Sequence, residues 1–129
     1  MHICIDIDDT ITYCPELFAK LCAAFEGARI SIVTFRTDRE STVEYLDTIS
    51  IRYDELIMSS DATHGKTEQQ TLAQWKAGFV NSIQPDLFFE DMPEVVALID
   101  PGIHVFMPCD DVIRSWIREK LGNSSGIAG

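Results

Sequence analysis

Short apolar runs alternate with longer amphipathic stretches along this 129-residue chain. That rhythm predicts strands and helices in turn, and hence an α/β domain with a mainly parallel sheet. The first run, Ile3-Cys4-Ile5-Asp6-Ile7, predicts a buried strand. Pro15 then opens a helix whose apolar residues Leu17, Phe18, Leu21, Cys22 and Phe25 recur at helical spacing, and Gly27 stops it. Residues 29–35 predict the second strand, and Thr37-x-x-Glu40 has the form of a capping box opening a helix to about residue 49. The third strand, 55–59, has a short apolar core of Leu56, Ile57 and Met58.

Residues 59–70 are polar and read as a loop. Thr71-x-x-Gln74 repeats the capping-box form, and Leu72, Trp75, Phe79, Val80 and Ile83 fall on one helical face. A fourth strand at 86–89, a short helix at 93–99, a fifth strand at 103–107 and an amphipathic helix at 112–121 complete the pattern. Residues 1–121 therefore read as one domain, with 122–129 a flexible C-terminal tail. The expected architecture is a Rossmann-like three-layer α/β/α sandwich around a five-stranded sheet. Ligands in such sheets bind beyond the carboxyl ends of the strands.

Composition narrows the function classes. A net charge of −11 argues against general nucleic-acid binding, because phosphate contacts need a basic surface. No apolar run approaches the roughly 20 residues of a membrane-spanning helix. Cys4, Cys14, Cys22 and Cys109 form no Cys-x-x-Cys pair and lie in or beside apolar segments. Buried thiols in a reducing cytoplasm are the expectation.

The chemistry is concentrated where the first strand ends, in Asp6-Ile7-Asp8-Asp9-Thr10. Crowded carboxylates cost free energy unless a cation or a proton offsets them. A solvated acidic turn is the alternative, but Asp-x-Asp-x-Thr directly after an apolar strand argues for a site. Thr34 ends the second strand, and Glu90-Asp91 follows Leu87-Phe88-Phe89. Strand ends of a parallel sheet converge on one edge, so these remote groups can share a single site.

That spacing resembles the first motif of the haloacid dehalogenase (HAD) superfamily, most of whose members are Mg²⁺-dependent phosphatases and phosphotransferases. The resemblance implies that Asp6 is the nucleophile, forming an aspartyl phosphate, and that Asp8 is the general acid and base. Thr34 matches the second motif, whose hydroxyl bonds a phosphoryl oxygen. The third motif is a lysine, for which Lys76 and Lys66 are the candidates. Lys76 ranks first because it lies on an apolar helical face, where a charge must find a partner. Glu90-Asp91 resembles the fourth motif. Mg²⁺ would then be held by the carboxylates of Asp6 and Asp91 and by the backbone carbonyl of Asp8, with Glu90 beside a metal-bound water or the lysine. Asp9, Thr10 and Arg36 would contact substrate, although Asp9 stands where many relatives have glycine.

Only 11–14 separate Thr10 from the first helix, which leaves no room for an inserted cap domain. The resemblance therefore points to a capless member acting on a phosphorylated small molecule or on a phosphate exposed on a larger substrate. Capless members also borrow a neighbouring subunit as a lid, so a homo-oligomer is one expectation. Two other classes compete: a catalytically weak binding or assembly module, and a receiver-type phosphoacceptor domain, which would place its acceptor aspartate after the third strand.

Overall fold

The structure, a computed structural model, describes residues 1–107 and 110–122. Five strands, β1 (His2–Ile5), β2 (Arg29–Thr34), β3 (Glu55–Met58), β4 (Leu87–Phe89) and β5 (His104–Phe106), form one sheet in the order β3-β2-β1-β4-β5. Every pairing is parallel. The helices are α1 (Pro15–Ala24), α2 (Arg39–Thr48), α3 (Leu72–Ile83), α4 (Pro93–Val96) and α5 (Asp110–Leu121).

Alternation along each strand sends successive side chains to opposite faces. On one face Ile3, Ile5, Ile30 and Ile32 pack against Phe18 and Cys22 of α1 and Leu46 of α2. On the other, Cys4, Val33, Ile57 and Phe88 pack against Trp75, Ala77 and Val80 of α3 and Val95 of α4. The result is the expected Rossmann-like three-layer sandwich. Central strands are wholly covered, so truncating Ile5 to alanine would cost about 2–5 kcal/mol. Burial pushes the Cys22 thiol up to about 11 and Cys4 higher still, which leaves both as inert packing groups.

The chain steps from β1 to β2 to β3 in one direction and then crosses back to place β4 and β5 on the other side of β1. The crossovers diverge between β1 and β4. A crevice opens at the carboxyl ends of strands whose connections leave in opposite directions.

Three local readings differ from the sequence pattern. β1 ends at Ile5 instead of Ile7: Asp6 N–H still reaches Phe89 O at 3.0 Å, but the chain then turns through Ile7–Ile11, with Asp9 at φ 61°. The cap of α2 is Asp38, not Thr37, since the Asp38 carboxylate accepts the Ser41 N–H at 3.2 Å. Aspartate is at least as good a cap as threonine, so the start shifts by one residue. α4 is a single turn, followed by further turns rather than helix to residue 99. The Thr71–Gln74 capping box is present, with reciprocal bonds of 3.1 and 2.9 Å. Cys109 and the expected tail beyond Gly122 lie outside the described residues. No described helix is long and apolar enough to cross a membrane.

Candidate active site

Asp6 leaves β1 at the β1/β4 crevice, and Glu90 and Asp91 leave β4 beside it. One carboxylate oxygen from each lies within 4.8 Å of the others, an arrangement that could hold a metal ion. Asp6 and Glu90 are buried and Asp91 is half-buried. Three acids so close would repel one another, and two features offset them.

The first is Lys76. α3 buries this side chain to 1% exposure, and its Nζ lies 2.6 Å from Asp6 Oδ1 and 3.0 Å from Glu90 Oε1. The ammonium also sits 4.2 Å from the centre of the Phe35 ring, whose face attracts a cation. Burial alone would lower the Lys76 ammonium, but Asp6 and Glu90 outweigh it and hold it above its ordinary value. Lys76 is therefore a permanent cation within the site.

The second is proton affinity. Burial pushes the Asp6 carboxyl up to about 6, with Lys76 pulling the other way and Asp91 adding to the rise. Burial likewise raises Glu90 and Asp91. One ammonium against three carboxylates leaves an excess of negative charge. Glu90 Oε1 meets the ammonium without hydrogen-bond alignment and has no hydrogen-bond partner among the described residues, whereas Oε2 accepts the N–H groups of Asp91 and Met92 at 3.0 and 3.2 Å. An all-oxygen donor set with an under-satisfied buried oxygen suits a hard divalent cation.

Thr10 is fully buried, and its hydroxyl donates to Asp6 Oδ2 at 2.9 Å while lying 3.4 Å from Asp91 Oδ1. It was expected against the substrate; here it fixes the carboxylate of Asp6. Thr34 is buried at the end of β2, where its Oγ1 accepts the Arg36 N–H at 3.1 Å.

Asp8 stands apart from the acidic cluster. Its carboxylate points into solvent at 56% exposure and is held by Arg36, with Nη2 2.8 Å from Oδ1 and Nε 3.0 Å from Oδ2. Arg36 in turn lies over the Tyr45 ring at 5.0 Å, a contact that the sequence spacing does not signal. Asp9 is exposed, and its N–H donates to Thr12 Oγ1 at 2.9 Å. Lys66 is exposed and donates to Thr67 O at 3.0 Å, so of the two candidate lysines Lys76 is the one that reaches Asp6.

The sequence matches no protein-family model and no curated protein. Two solved structures resemble the fold: chains of the Pnkp1/Rnl/Hen1 RNA repair complex and of a second Pnkp1/Rnl/Hen1 complex, each with a TM-score of 0.62 and 16% identity. The match covers 82% of this chain but only 41% and 45% of theirs. At that identity the likeness is one of fold, and the chain spans less than half the length of either neighbour.

Proposed function

We propose that this protein is a Mg²⁺-dependent phosphatase of the HAD type, hydrolysing a phosphomonoester through an aspartyl phosphate on Asp6. The observation that carries the proposal is the buried Lys76–Asp6 contact of 2.6 Å inside a cation-ready cluster of carboxylates. A lysine enters so costly a position when a charge must be offset there, and here that charge belongs to the first aspartate of Asp-x-Asp-x-Thr.

In this reading Mg²⁺ is held by Asp6, Asp91 and the backbone of Asp8, and supplies charge neutralisation around the phosphate. Thr10 and Lys76 orient the Asp6 carboxylate, whose oxygen attacks phosphorus as the bond to the leaving oxygen breaks. Arg36 exchanges Asp8 for the incoming phosphate, to which its planar fork is matched. Asp8, so released into solvent, takes up a proton from water, gives it to the leaving oxygen as the P–O bond breaks, and then takes a proton from the water that cleaves the aspartyl phosphate. Thr34 bonds a phosphoryl oxygen.

The substrate is a phosphorylated small molecule or a phosphate exposed on a larger one. An end phosphate on RNA belongs in the trial set, because one structural neighbour belongs to an RNA repair complex. The receiver alternative loses ground at β3, where Asp61 caps the Met58 N–H at 2.8 Å and pairs with Arg39 at 2.7 Å. The deciding experiment is turnover of an aryl phosphate by wild type and Asp6→Asn with Mg²⁺, alongside a panel of phosphorylated metabolites and RNA ends. Turnover that survives Asp6→Asn would reject the mechanism, and no turnover of any substrate would favour the binding-module alternative.

A further inference from the structure

Asp6, Glu90 and the ring of Phe35 surround the buried ammonium of Lys76. β2 ends at Thr34, and the chain then hands successive side chains to different helices. Arg36 lies against Tyr45 of α2, whereas Phe35 packs into the cluster on the α3 face with Val33 and Trp75. The ring of Phe35 is fixed there from two sides. Trp75 packs on it at 6.3 Å and is itself tied by Nε1–H to His64 O at 2.6 Å, while the Phe35 carbonyl accepts the Ser59 hydroxyl at 3.1 Å. The loop between β3 and α3 thus clamps both the residue and its neighbour.

An ammonium has three N–H groups to place. One is bonded to Asp6 Oδ1 at 2.6 Å; Glu90 Oε1, at 3.0 Å, lies off the hydrogen-bonding directions. The ring centre is 4.2 Å from Nζ, and an aromatic face attracts a cation most strongly where water is excluded. We propose that Phe35 is a positioning residue for Lys76, its ring face holding the ammonium on Asp6 and out of alignment with Glu90.

A saturated side chain in the same place would fill the space but offer no negative face. The ammonium would then share its N–H groups between the two carboxylates, and Asp6 would lose its fixed orientation. Small misplacements of a reacting group are costly in rate. The kinetic consequence rests on the phosphatase reading, whereas the placement of the ammonium does not.

The experiment compares wild type with Phe35→Leu and Phe35→Met, which lack the ring, and with Phe35→Tyr, which restores it. Circular dichroism shows which variants fold. NMR of the lysine side chains reads the placement: in wild type the Lys76 ε-methylene is shifted upfield by the ring, and its ammonium protons exchange with water slowly enough to be observed. Lys20, Lys66 and Lys120 are exposed, so these signals belong to Lys76. In the ringless variants both features are lost, and with Mg²⁺ and an aryl phosphate kcat falls about tenfold while KM is unchanged. Phe35→Tyr recovers all of them. A wild-type methylene at its ordinary position overturns the proposal without any variant. Ammonium protons that stay slow in a folded ringless variant overturn it too, as does a ringless kcat equal to that of an active wild type or a tyrosine variant that recovers nothing. If wild type turns over no substrate, the phosphatase reading fails, and ammonium exchange alone still decides whether the ring holds Lys76.

Discussion

Lys76 and Asp6 are seventy positions apart in the sequence and 2.6 Å apart in space. α3 brings its lysine across the sheet to the end of β1, where the contact is both a structural ion pair and the centre of the proposed chemistry. Lys76→Ala should therefore lose on two counts. Leaving Asp6 and Glu90 buried without their cation should destabilise the fold by about 3–5 kcal/mol. Turnover should fall on the order of a hundredfold or more. Lys66→Ala should match wild type in both. Chemical denaturation and steady-state kinetics on the two variants check this, and the opposite ranking would assign the third motif to Lys66.

Asp8→Asn should leave nucleophilic attack partly intact while removing the base for the second step. Phosphoenzyme should accumulate to a larger fraction than in wild type, with steady-state turnover reduced by about 10²-fold or more. Acid quenching followed by mass spectrometry of the Asp6 peptide measures it.

The Asp6 carboxyl, at about 6 in the folded chain against an ordinary 3.8, sets the pH dependence of the metal-free protein. Between those values the folded state binds more protons than the unfolded state, so stability is greatest below the window and is lost as pH rises through it. The raised Glu90 and Asp91 act in the same direction. Metal-free protein should melt higher at about pH 5 than at about pH 7, and Mg²⁺ should raise the melting temperature most at the higher pH, where the carboxylates are ionised. Melts with chelator and with Mg²⁺ at both values test the sign.

Arg36→Ala should weaken substrate binding through lost phosphate contact, raising KM by about tenfold or more. Arg36→Lys should recover little of it, because an ammonium cannot reproduce the planar two-point contact. A lysine variant with wild-type KM would show that charge alone suffices.

Much of the architecture was legible because each layer left a periodic trace. β1, β2 and α3 carry apolar runs or stripes that only a buried strand or a half-buried helix explains. The acidic edge was legible because Asp6 and Glu90-Asp91 each end such a run. Lys76 stood out as a charge on an apolar face. What the sequence withheld depends on side-chain geometry across the fold. Thr10 turning inward to Asp6, Asp8 being taken by Arg36, and Tyr45 lying beneath that guanidinium each join groups whose spacing has no local signature. The cap at Asp38 was obscured because two adjacent residues, Thr37 and Asp38, are both competent caps.

Asp9 in the turn after β1 holds a left-handed backbone at φ 61°, a conformation that costs a side-chain-bearing residue about 1 kcal/mol relative to glycine. Glycine there would remove that cost and also widen the range of shapes the turn can sample. If the turn contacts substrate as in the proposed mechanism, aspartate would present it already bent, with the ordering entropy spent during folding instead of on binding. Asp9→Gly should therefore raise stability while weakening affinity: a small mutation that makes the protein sturdier and its site less ready.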